Sequence, residues 1–409
     1  MRLDGIAQAI NIAGLRSPVM LARAAGTLSV SSPEGFALEG TISAHAPTDP
    51  STGRALADGG RLLLSLGTPF VSSATVSVPY PDSNGVLKPR TLAIGDFAAL
   101  VGSDGSRPAA RPGDDLNARL DNGIGRVPLS GLASWGFDAL SLAAGDQVRF
   151  DADARLNMKL GIDIQAPIIT AKPGVQVALA GSHVALGDIG NRLNTPDITA
   201  SADTSAARDT AFRVTSPEID LYNSFGLSGF STITLDAGSR RDGEVRFNSD
   251  SSFGATSQLN FAGQLKITAG QAYATSGTKY LLAGLPVAAD GDAGSELIVR
   301  APEGGSASTA PLSAFGQLTV QATRIDQGGV LRQPFGSITL DATQRLTLGN
   351  GSLTSVSADG STVPLGKTDN LTDWVVAGQS RTQLPLAKSI QLTANEIQTA
   401  PGATVSAAK

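Results

Sequence analysis

The chain has 409 residues, a formal net charge of −5, 16% charged residues, 47 glycines and no cysteine. This composition excludes a disulfide framework, thiolate metal sites and a cysteine nucleophile, and it leaves no cationic footprint for a nucleic-acid backbone. The length exceeds the ~250–300 residues at which a single core stops growing, so the chain needs several domains or a core extended by stacking.

Residues 1–25 place Ile6, Ala9, Ile10 and Ala13 on one helical face, which predicts a short N-terminal capping helix. Gln8 and Asn11 break the apolar stretch, so it does not read as a signal peptide. No run reaches the ~18 apolar residues that a transmembrane helix needs. Residues 26–102 read as coils of short strands with a hairpin insertion at Asn84-Gly85. Residues 103–131, rich in Pro, Gly, Asp and Arg, read as an excursion with a helical turn at Leu116 to Leu120. Residues 132–400 return to coils with loop insertions, among them 275–296 and 301–311, and residues 401–409 read as a solvated tail.

The coils are predicted from a recurring apolar row. Leu318, Val320, Ala322 and Ile325 have the same spacing as Ile390, Leu392, Ala394 and Ile397 and as Val177, Leu179, Gly181 and Val184. Leu140, Leu142, Ala144 and Val148 form a close variant, as do Ile338, Leu340, Ala342 and Leu346, and Ile233, Leu235 and Ala237 repeat its start. Alternation over about five residues marks a half-buried strand. Strand, bend and strand repeated along a chain mark a solenoid, in which each unit buries its apolar row only by stacking on the next. The twenty residues from Leu318 to Ile338 suit one coil. The fold expected is therefore all-β, a parallel β-helix with loop or hairpin insertions; a β-sandwich is the alternative.

Residues with catalytic potential are few. Neither His45 nor His183 stands near a nucleophile-elbow motif. Asp151 and Asp153, two apart, would leave the same strand face, the arrangement a polysaccharide lyase or hydrolase needs and also what any solvated strand row gives. Asp163 stands alone, and Asp114-Asp115 read as loop solvation. Asp290, Asp292 and Glu296 imitate part of a calcium loop without its remaining ligands. Trp135, Trp374, Tyr222, Tyr273 and Tyr280 could stack on sugars, but capping the rod or pinning its loops is the expected role. No catalytic, cofactor-binding or metal residue is assigned.

Three long stretches carry a resemblance: GSITLDATQRLTLGNGSLTSVSADGSTVPLG from Gly336, GFDALSLAAGDQVRFDADARLNMKLGIDIQAPIITA from Gly136 and LARAAGTLSVSSPEGFALEGTISA from Leu21. Their phrasing resembles the filamentous haemagglutinin-like family, the large bacterial exoproteins of two-partner secretion, in its distal repeat-bearing part. The resemblance implies a right-handed parallel β-helix and a secreted protein or one on the extracellular face of the outer membrane. It also implies a non-catalytic adhesin or adhesive stalk, with a host or neighbouring-cell receptor or glycan as partner. The full-length protein would pass an outer-membrane transporter. The family's NPNG-like secretion motif has no counterpart beyond NGIG at Asn122 to Gly125, so a fragment of a longer exoprotein or a truncated reading frame is expected. A β-helical lyase or hydrolase and the stalk of a contact-dependent toxin-delivery protein are the alternatives.

Overall fold

The structure, a computed structural model, describes residues 7–12, 15–20, 22–33, 35–67, 89–97, 123–188, 207–250, 255–285, 294–305, 309–358, 360, 362–364, 366–369, 373–376, 379–380 and 388–408. Nearly all regular structure among them is strand. Two all-parallel sheets, one of 11 strands and one of 18, account for most of it.

The strand register resolves these sheets into three stacked ladders. Phe137–Ala144 lies on the first, Gln147–Phe150 on the second and Ala154–Met158 on the third. The next turn repeats the order with Gly161–Gln165, Ile168–Ala171 and Gln176–Gly181. Leu140 faces Ile162, and Ile162 faces Val184, each one turn of twenty-two residues further on. The chain thus winds as a three-sided parallel β-helix. Gln317–Gly328 and Ser337–Leu348 each run through a corner and belong to two ladders. At ~4.8 Å per strand, the first face extends roughly 48 Å along the axis.

Inward positions carry the predicted rows. Leu318 pairs with Ile338, and Ile338 with Ile390; Val320, Leu340 and Leu392 stack in the same way, as do Ile325, Leu346 and Ile397. Leu140 and Leu142 line the first face, whereas Val177, Leu179, Ile233 and Leu235 line the third. One sequence pattern therefore serves different sides of the prism. Phe150, Phe212, Phe230, Phe247 and Phe261 fill the interior with no solvent exposure, and Tyr280 packs on Phe247 with ring centroids 5.1 Å apart.

Gly349, Asn350 and Gly351 form the expected bend. Gly351 has φ +74°, and Ser352 N–H donates to the Gly349 carbonyl at 3.1 Å. Gly336, one residue before the next corner-turning strand, meets a tighter demand: a Cβ there would lie 1.9 Å from the Gly316 carbonyl oxygen of the preceding turn. Gly336→Ala is expected to cost about 1–3 kcal/mol, as overpacking against backbone does, and chemical denaturation measures it.

Four expectations change. Ala7–Ile12 is a strand paired antiparallel with Leu15–Met20, Ala9 opposite Pro18, and no N-terminal helix forms there. Pro18 bars a continued helix and is tolerated in a two-stranded ribbon, where every strand is an edge. The excursion ends before Ile124–Pro128, which joins the second ladder beside Thr91–Gly95 and Phe36–Ala37 and leads into the short helix Leu129–Ser134. Its inward row contains Gly125, because a Cβ would lie 2.7 Å from Leu92 Cδ2, and this hides the alternation. Lys279–Gly284, read within a loop, is a ladder strand. In the expected tail, Thr404–Ser406 pairs with Leu353–Ser355. Between Ser357 and Lys388 the insertion holds a three-stranded antiparallel sheet, Lys367–Asp369, Asp373–Val376 and Gln379–Ser380. Asn84-Gly85 and Leu116 to Leu120 lie outside the described residues.

Candidate functional site

The first face carries a dense polar array. Its outward residues align strand by strand. Leu63, Ser141, Asp163 and Ala185 sit opposite one another in turn, and the row continues through Asp220, Arg246 and Tyr273. The neighbouring row holds Arg61, Ala139 and Gly161, then His183, Glu218, Glu244 and Gln271.

Asp220 is the hub, with a side chain 1% exposed. Arg246 grips it bidentately, Nε to Oδ1 at 2.7 Å and Nη2 to Oδ2 at 2.6 Å. Asn248 Nδ2 donates to Oδ1 at 2.8 Å, Tyr222 Oη donates to Oδ2 at 3.4 Å, and His183 Nε2 lies 2.8 Å from Oδ2. Arg246 also pairs with Glu218. Burial pushes the Asp220 carboxyl up, but the hydrogen bonds from His183 and Arg246, with the Arg246 charge, overcome it and hold the pKa down at about 2. The hydrogen bond to Asp220 raises His183 above its ordinary value against the opposing effect of burial. On the next strands, Glu244 accepts from Tyr273 Oη and Gln271 Nε2, both at 2.8 Å.

His183, Glu218 and Asp220 each offer a ligand atom, all within 4.8 Å of one another. The Arg246 guanidinium hydrogen-bonds both carboxylates of this set and supplies the positive charge that a metal ion would bring. The residues present therefore form a charge-paired network spanning successive coils.

Asp163 differs. It accepts from Gln165 Nε2 at 2.5 Å and Ser141 Oγ at 3.3 Å, both uncharged donors. Burial raises its pKa, and those bonds with the nearby His183 offset only part of the shift. An acid whose folded pKa is raised destabilises the fold once the pH passes its unfolded value near ~3.9. Asp163→Asn keeps an oxygen for both donors. It is expected to raise the melting temperature at neutral pH and to leave it unchanged below about pH 3, where both forms are neutral.

The carboxylate pair singled out in the sequence does not form an open site. Asp151 follows the end of Gln147–Phe150 and is held by Arg149 at 2.6 Å and Lys172 at 3.3 Å. Asp153 accepts the Gln176 backbone N–H at 2.8 Å. Glu296 accepts from Gln264 on an adjacent strand at 2.8 Å, while Asp290, Asp292, Asp114 and Asp115 lie outside the described residues. His45 is exposed beside Gly136, where a Cβ would lie 2.3 Å from its Nδ1. Trp135, Tyr273 and Tyr280 are buried, 5%, 7% and 1% exposed, so they are not open sugar platforms. Tyr222 belongs to the Asp220 network and Trp374 to the antiparallel insertion.

A groove of about 550 Å3 lies beside the short helix and is lined by Leu38, Ile42, Phe97 and Trp135, with Arg126 Cζ 5.8 Å from the Phe97 ring centroid. Comparison with protein-family models, curated proteins and solved structures finds no match to this chain. What the fold itself defines is a parallel β-solenoid with insertions, carrying a charge-paired polar network on one face.

Proposed function

We propose that the chain is a non-catalytic β-helical segment of a secreted or surface-exposed bacterial exoprotein, working as an adhesin or adhesive stalk. The observation that carries this reading is the unbroken stacking of the first face through 11 parallel strands, together with the long sequence stretches that resemble the filamentous haemagglutinin-like family. A rod of this kind projects its insertions along its length. Weak contacts made by several copies then add through effective concentration, by about 10²–10⁴ over a single contact. The partner would be a receptor or glycan on a host or neighbouring cell, and the full-length protein would leave its cell through an outer-membrane transporter of the two-partner type.

The test compares the soluble chain with the chain coupled at high density to beads, on cultured epithelial and bacterial cells. Saturable binding of the beads, with weak binding of the free chain and no release of unsaturated or reducing sugars from acidic polysaccharides, is the expected result. Turnover of those polysaccharides overturns it in favour of a lyase or hydrolase.

A further inference from the structure

Beside the Asp220 network, the first face is indented. Between Arg61 and His183 the outward positions are Ala139 and Gly161, so over two consecutive strands this row has almost no side chain above the sheet. At Gly161 even a Cβ would stand 2.7 Å from the His183 carbonyl oxygen. The result is an open trench of about 420 Å3, walled on one side by Leu63, Ser141 and Asp163.

The trench is electrically dipolar. Asp163 meets only a hydroxyl and an amide as hydrogen-bond donors, and His183 beside it is engaged by Asp220. At the other end the exposed Arg61 side chain makes no ion pair among the described residues. Beside Arg61 on the same strand stands Leu63, an apolar side chain 39% exposed at the head of the row that leads through Ser141 to Asp163. Arg61 and Asp163 stand two strands and one pleat step apart, roughly 12 Å between Cα atoms by sheet geometry. A half-buried carboxylate that no Lys or Arg pairs and whose one nearby imidazole is already engaged by Asp220, a guanidinium without an ion pair among the described residues, and an aliphatic wall beside them define one complementary shape.

We propose that this trench binds a zwitterion whose ammonium and carboxylate groups are separated by an aliphatic chain, as in an ω-amino acid or a C-terminal lysine. The ammonium sits at Asp163, the carboxylate at Arg61, and the methylenes lie along Leu63 over Ala139 and Gly161. The ligand's cation replaces the water that Asp163 has lost, and charge-assisted hydrogen bonds at both ends fix its direction.

Calorimetric titration of the full chain with ε-aminocaproate tests this, with hexylamine and caproate as single-charge probes. The expected result is binding of ε-aminocaproate in the millimolar range, with each single-charge probe about tenfold weaker, the worth of one charged hydrogen bond. A short peptide ending in lysine and its C-terminally amidated form identify the source. Binding of the free-acid peptide alone points to a protein C-terminus, and rejection of both peptides points to a small ω-amino acid. Asp163→Asn and Arg61→Gln should each weaken ε-aminocaproate about tenfold. Ala139→Leu should abolish binding by filling the trench floor. Melting curves of each variant, recorded alongside the titrations, separate loss of binding from unfolding. No heat with ε-aminocaproate, equal affinity for hexylamine, or unchanged binding by Asp163→Asn each overturns the proposal. Cell adhesion that survives Ala139→Leu leaves the stalk reading standing apart from this site.

Discussion

Leu340→Asp is expected to open the C-terminal third of the solenoid. Leu340 has no solvent exposure and stacks between Val320 of the preceding turn, also fully buried, and Leu392 of the next. Removing the leucine volume alone costs about 2–5 kcal/mol. The carboxyl that replaces it must stay protonated at a raised pKa or bring water into the core, and either adds several kcal/mol more. A solenoid is stabilised by nearest-neighbour interfaces, so the loss should fall on the coils from Gln317 to Thr393 while the strands around Phe137–Ala144 hold. Hydrogen exchange should show amide protection lost in the first region and kept in the second, with an early phase in thermal melting. Ile397→Asp provides the contrast: Ile397 stacks in the same pattern but is 45% exposed, so its replacement should change stability by about 1 kcal/mol or less. A wild-type melting curve for Leu340→Asp would falsify the inward assignment of the row.

The rows were legible because burial in a narrow prism demands the same apolar alternation turn after turn, and Leu318, Ile338 and Ile390 do stack directly. Where the inward residue is Gly125 the alternation vanishes, and the sequence of the strand Ile124–Pro128 reads as part of an excursion. At the N-terminus, small residues such as Ala7, Ala9 and Ala13 satisfy helical and strand periods equally, and pairing with Leu15–Met20 decides. The polar network was not legible at all. Asp163, His183, Asp220 and Arg246 come from turns of unequal length, since an insertion stretches the step from Val184 to Ile219 to thirty-five residues. Outward positions follow no alternation rule of their own, so only the register brings these four together. His183 alone in a turn carried no signal, and Asp163 looked isolated because its partners Ser141 and Gln165 are uncharged.

Asp220→Asn is expected to be the most damaging single change on the surface of the rod, and its effect should depend on pH in two opposite ways. The asparagine keeps the volume but takes away the charge that Arg246 and His183 share. Breaking a buried ion pair from one side costs about 3–5 kcal/mol, and because Arg246 and His183 are 27% and 42% exposed, the lower end of that range applies. Asp220 has a folded pKa of about 2, below its unfolded value. Its contribution is therefore present above pH ~3.9 and disappears as the pH falls toward the folded value. His183 is shifted the other way, raised by its bond to Asp220. Its contribution is complete below an unfolded pKa of ~6.5 and is lost as the pH rises through the higher folded value. The stability difference between wild type and Asp220→Asn should then be largest between about pH 4 and 6.5 and decline on both sides. Urea titrations at half-unit pH steps measure it. His183→Gln should remove the alkaline decline and keep the acid one. The Arg213–Asp236 pair serves as the control: at 54% and 24% exposure, its removal should cost about 0–1 kcal/mol. A difference that declines neither below pH 4 nor above pH 6.5 would mean that Asp220 is held by packing and not by its charge, and that the network contributes nothing specific to how the coils adhere.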